Sequence, residues 1–214
     1  MENQRMTKMT RKTTSGFTLV ELSIVLVIIG LIIGGVLSGK QLMLNAQITN
    51  AVNSVQAYQA QFQTYVQNYA AMPGDDANAQ TRFSDAGIPG KTDKADGTLD
   101  DSFDSSTDTD ETRLAWSNLR AAGLVKGAGS STAQPSNPFG GIYGFQHGAF
   151  TTTGAFTTNV VCLSNVPGDA AMSIDSRLDD GAPNSGAVAA ATTITGEPPA
   201  AYGSSTSYIL CAKM

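Results

Sequence analysis

The chain has 214 residues, 13 basic and 18 acidic side chains, and a formal net charge of −5. That length accommodates one anchor helix and one globular domain, and the acidic balance excludes a broad grip on nucleic acid, which relies on Lys and Arg against phosphates. A single histidine, His147, and two cysteines, Cys162 and Cys211, leave no His/Cys cluster for zinc. Neither a Gly-Lys-Ser/Thr loop nor a Gly-x-Gly-x-x-Gly turn occurs between a strand and a helix, so the sequence argues against an enzyme.

The N-terminus is basic, with Arg5, Lys8, Arg11 and Lys12 against Glu2. Then follows Gly16-Phe17-Thr18-Leu19-Val20-Glu21 and an apolar run to Leu37 whose only charge is Glu21. As a helix, residues 17–37 measure about 31 Å, roughly the hydrocarbon thickness of a bilayer. An ordinary secretory signal places a small-residue cleavage site after its apolar run. Here Val36-Leu37-Ser38-Gly39-Lys40 is a poor site, and the small residue, Gly16, stands before the run. A plain signal anchor is the alternative reading. The positive-inside rule keeps residues 1–16 cytoplasmic and exports the rest, to a compartment where disulfides persist.

The Gly-Phe junction followed by Thr-Leu-Val-Glu-Leu resembles the leader of type IV pilins and type II secretion pseudopilins. The resemblance implies cleavage between Gly16 and Phe17 by a prepilin peptidase, N-methylation of Phe17, and passage from the inner membrane, with its assembly machinery, into a self-assembled helical filament. Loss of residues 1–16 leaves nine basic against 17 acidic side chains, a net side-chain charge of −8. An ionised Glu21 in an apolar helix costs about 2.5–3.5 kcal/mol, which suggests a partner. The new ammonium of Phe17 is one candidate, within the chain at i to i+4 or in a neighbouring chain, where it would set axial register. The resemblance favours the neighbour. A position near the lipid headgroups is the alternative.

Gly30, Gly34 and Gly35 lie in the apolar run, and Ser38 stands where many pilins carry proline, so Gly34, Gly35 or Gly39 would have to supply any bend. Past Lys40, Val52, Val55, Tyr58, Phe62, Tyr65 and Tyr69 recur at spacings of three and four, one stripe of a helix. No charge occurs between Gln41 and Ala71. Met72-Pro73-Gly74-Asp75 ends the helix. The expected organisation is a leader at 1–16, a long helix at 17–71 with a transmembrane half at 17–37, and an exported domain at 72–214.

Asp75 to Asp110 reads as an acidic loop. Asp93, Asp96 and Asp100 around Gly97 are the candidate ligands of a calcium loop, although the EF-hand pattern is missing and a solvated loop is the alternative. Some pseudopilins order a loop in this region with calcium. Glu111 begins a short amphipathic helix with Leu114, Trp116 and Leu119 on its core side, ended by Ala121-Ala122-Gly123, and Leu124 to Gly127 resumes as extended chain. Gly127 to Pro138 is a surface loop. Strands are predicted at Ile142–Gln146, Ala155–Leu163, Ala187–Ile194 and Tyr208–Cys211, with a short helix at Ala170–Leu178. His147 is expected in a surface turn, and Asp179-Asp180-Gly181 is read as a turn rather than a metal site. The fold class is α+β, a long N-terminal helix packed on an antiparallel sheet with long loops. Met72-Pro73-Gly74-Asp75, Trp116-Ser117-Asn118-Leu119 and Ala122-Gly123-Leu124-Val125 are similar to a proteobacterial pilin-like group. Cys162 and Cys211 are expected to pair, as each other's only intramolecular partner in an exported domain, against the alternative of two buried thiols. The resemblance implies a structural filament subunit of a type IV pilus or a pseudopilus, with the size and late cysteines leaning toward a pilus. The alternative is a minor or tip pilin that binds DNA, a surface or a secreted substrate.

Overall fold

Helix α1 runs without a break from Leu19 to Tyr69 in the computed structural model, which describes residues 16–84, 87, 95–150 and 156–214. The chain divides into two units within this helix, the first ending at Met43 and the second running from Leu44 to Met214. In the first unit every described side chain is exposed. Its helix is long and apolar enough to cross a membrane. Gly30, Gly34, Gly35, Ser38 and Gly39 are all helical.

In the second unit, the C-terminal half of α1 supplies the core stripe. Val52, Val55, Phe62 and Tyr65 are buried as the periodicity predicts, Tyr58 and Tyr69 are half-buried, and Ile48 and Ala51 extend the stripe toward the N-terminus. The helix stops at Ala70, whose φ is +52°, followed by Pro73 and Gly74. A buried cluster secures this end. The Tyr65 hydroxyl donates to Asp76 Oδ2 at 2.8 Å, Arg82 pairs with the same carboxylate, and the Arg82 guanidinium lies 4.6 Å from the Tyr69 ring centre. Arg82 closes a one-turn helix, α2 (Ala79–Arg82), that the acidic loop was not expected to contain.

Helix α3 (Glu111–Ala121) buries Leu114, Trp116 and Leu119. Trp116 stacks on Phe145 at 4.6 Å and meets Tyr58 edge-on at 4.9 Å. The expected extended chain after it is instead a turn, because the amides of Leu124 and Val125 both bond back to the Leu119 carbonyl, at 2.9 and 3.2 Å. That satisfies an otherwise orphaned helix-end acceptor.

The described residues form one four-stranded sheet: β1 (Tyr143–Ala149), β2 (Phe156–Pro167), β3 (Val188–Ala191) and β4 (Ser207–Lys213), with α4 (Gly168–Leu178) between β2 and β3. The order is β1-β2-β4-β3 and every pairing is antiparallel. Alternation sorts the side chains by face. Val161, Leu163, Leu210 and Ala212 join the α1 core, while Val160, Cys162, Ala189 and Cys211 pack with Phe103, Phe150 and Phe156 on the other side. Both sheet edges are closed by loops. Pro135 and Leu99 accept from the Tyr143 and His147 amides, and Pro183 accepts from that of Ala190, each at 2.9 Å. His147 therefore belongs to a strand and not to a turn, although it is exposed as expected.

Candidate functional site

The start of α1 holds the residues that the leader pattern singles out. Gly16 and Phe17 precede the helix in non-helical chain, and Phe17 is 84% exposed. Glu21 turns its carboxylate back onto Thr18. Its Oε2 accepts from the Thr18 amide at 2.8 Å and the Thr18 hydroxyl at 2.9 Å, while the Glu21 amide donates to Thr18 Oγ1 at 3.3 Å. Those reciprocal bonds make a capping box, which satisfies helix-start donors that have no partner inside the helix. The spacing Thr18-x-x-Glu21 was a sequence signal for it that reasoning from charge alone missed.

A search against protein-family models matches this segment to the prokaryotic N-terminal methylation motif. The match covers residues 11–37. The motif is the hallmark of type IV pilin and pseudopilin precursors. The matched residues include Arg11, Lys12, Gly16, Phe17 and Glu21, and the apolar half of α1. No curated protein and no solved structure gives a significant match to the chain.

Outside the methylation motif, Cys162 and Cys211 form a disulfide between directly opposed residues of β2 and β4, with both cysteines fully buried. Of the three candidate calcium ligands, Asp93 lies outside the described residues. Asp96 and Asp100 converge on one hydroxyl, that of Thr98, at 2.7 and 2.6 Å. The same loop is tied down by the Gly97 amide, which donates to Asp75 at 2.7 Å, and by the Asp100 amide, which donates to Glu111 at 3.2 Å.

Among the described residues, the group of three carboxylates close enough to share an ion is a different one, Asp175, Asp179 and Asp180. Each is engaged by the chain. Asp175 accepts from the Tyr202 hydroxyl at 2.7 Å and the Gly181 amide at 3.3 Å. Asp180 accepts from the Ala182 amide at 2.9 Å and the Ser185 hydroxyl at 2.6 Å, and Asp179 accepts from the Ala187 and Val188 amides. These bonds shape the turn that carries α4 into β3. Burial pushes the Asp175 carboxyl up to about 6. In the sheet, His147 Nδ1 is 3.1 Å from Asn159 Oδ1 on the neighbouring strand.

Proposed function

We propose that the chain is the precursor of a pilin-like structural subunit. It is cut between Gly16 and Phe17 by a prepilin peptidase, methylated on Phe17, held in the inner membrane by residues 17–37, and assembled through α1 into a type IV pilus or pseudopilus filament. The methylation motif over residues 11–37 carries this reading. Two features agree with it. The Gly16–Phe17 bond lies in non-helical chain just ahead of the Thr18 cap, and a peptidase needs its substrate peptide out of a helix. From Leu22 to Leu37 the side chains are exposed and, Ser23 apart, apolar, a surface suited first to lipid and then to other copies of the same helix.

In this reading Glu21 directs assembly. Cleavage creates an ammonium at Phe17, and the Glu21 carboxylate of a neighbouring copy is its counter-charge. An unmatched charge in an apolar filament core is strongly unfavourable, so the pair selects one axial register. Intact-mass analysis of membrane-held and assembled protein tests the processing. The expected mass lacks residues 1–16, and assembled material that retains them would overturn the proposal. Glu21→Gln keeps the side-chain size and removes the charge. The variant should insert and be processed normally while filament yield, scored by negative-stain microscopy of sheared material at equal subunit levels, falls about tenfold or more. A wild-type yield would remove Glu21 from the mechanism.

A further inference from the structure

Opposite charges stand at the two ends of α3. Ahead of its first turn, residues 95–110 carry six aspartates and no basic residue. Asp100 and Asp104 are exposed there, whereas Asp108 is already paired with Arg113 at 2.7 Å. At its other end, Arg120 of the last turn and Lys126 beyond it rim a groove of about 630 Å³ whose facing wall is α1, with Ser54, Tyr58 and Gln61. Eleven residues of helix separate the two ends by about 16 Å.

The groove is built around a cation whose hydrogen-bond partners are neutral. Arg120 lies 6.0 Å from the Trp116 ring centre and donates to three backbone carbonyls, of Lys126 at 3.3 Å, Ser131 at 2.6 Å and Ala133 at 2.5 Å. Carbonyls satisfy its donors without cancelling its charge. Burial also lowers its pKa, as expected of a cation short of solvent. Lys126 adds a second, exposed positive charge at the rim. Across the groove, the Gln61 amide oxygen is buried without a hydrogen-bond partner. The site thus offers positive charge to a carboxylate and an acceptor to a backbone N–H.

We propose that this groove docks the acidic 95–110 segment of a second copy of this chain. The segment supplies what the groove lacks: carboxylates for Arg120 and Lys126, and the backbone amides of a Gly-, Ser- and Thr-containing loop for Gln61. Charge-assisted hydrogen bonds of this kind are about twice as strong as neutral ones. The two surfaces are different patches of one chain, so the contact is head-to-tail and repeats from copy to copy, as a filament requires. The inference rests on the filament reading and adds a contact between the exported domains to the one made by α1.

The full-length chain, expressed with its assembly machinery, tests it by charge exchange. Lys126→Glu and Asp104→Lys should each be processed normally and each lower filament yield about tenfold or more, since facing like charges cost several kcal/mol. The double variant should restore the yield. In a second measurement, the pair Lys126→Cys and Asp104→Cys in one chain should give an oxidation-dependent ladder extending beyond the dimer. Wild-type yield from both single variants, a double variant no better than the singles, or filaments in which no ladder forms would overturn the contact and leave the filament reading standing. Absence of processing and of filaments in the wild type would remove the filament reading. The ladder in membranes would then decide the contact alone, its presence supporting the dock and its absence rejecting it.

Discussion

Asp175 sits where its surroundings oppose its charge. Burial is the largest influence and raises its pKa to about 6 from an ordinary 3.8, Asp179 and Asp180 push in the same direction, and the Tyr202 and Gly181 hydrogen bonds only partly offset them. The sign for stability follows from linkage. Above pH 6 the carboxyl is ionised in both folded and unfolded chains, and the folded state bears the full penalty. As the pH falls from about 6 to 4 the folded chain takes up a proton before the unfolded chain does, so this group stabilises the fold progressively. Asp175→Asn should remove that component. Melting curves of the detergent-solubilised protein from pH 3.5 to 7.5 should show the variant gaining on the wild type above pH 6 relative to pH 4. Parallel pH profiles for the two proteins would show that the burial of Asp175 has no energetic consequence.

At the scale of the elements, the join between α1 and α3 depends on one glycine. Gly74 has φ +92°, and a Cβ there would strike the Glu111 carbonyl and press on the Ala115 amide. Gly97 has a similar φ of +94°, but a Cβ there would meet nothing within 4 Å. The pair separates backbone strain from close approach. Gly97→Ala should cost about 1 kcal/mol, the left-handed penalty alone, whereas Gly74→Ala should cost about 2–4 kcal/mol because the helix ends must also move apart. Equal losses of stability in denaturant titrations would remove the packing role of Gly74. Strand edges show where local patterns stop being informative. Ser164-Asn165 resembles a turn that ends a strand, yet β2 continues to Pro167. Asn165, at φ +59°, sits in an irregularity of the register between Leu163 and Val166, beyond which Val166 pairs with Tyr208. Conversely, Ile194 leaves the strand expected of it because the Gly196 amide closes a turn on the Thr193 carbonyl.

Across the whole second unit, the disulfide joins the two central strands of the sheet, β2 and β4, over 49 positions that include α4 and β3. In the chain-entropy model a loop of that length is worth about 4 kcal/mol. The cysteines are fully buried, so reductant should act only when the sheet opens. Replacing both by alanine should lower stability by about 3–5 kcal/mol without changing membrane insertion or processing at Gly16. A loss below 1 kcal/mol would mean that the two hydrophobic layers hold the sheet without the link.

Short-range patterns made much of this molecule legible. A basic segment, a small residue and an apolar run lie next to one another along the chain, so residues 11–37 could be read directly. The spacing of Val52, Val55, Phe62 and Tyr65 is a property of helix geometry and needed no knowledge of what covers them. Trp116 is buried as its amphipathic context suggested, and a chain with two cysteines admits one intramolecular pairing. The capping box was equally local, and it was missed because Glu21 was weighed only as a charge. Other features come from segments distant in sequence. β4 enters between β2 and β3, Asp175 is buried beneath Tyr202, and Arg120 ends up against the carbonyls of residues 126, 131 and 133. Loop closure brings those groups together, and its cost depends only weakly on chain length, so neither spacing nor composition selects one closure over another. Burial on both faces of one sheet made that selection here.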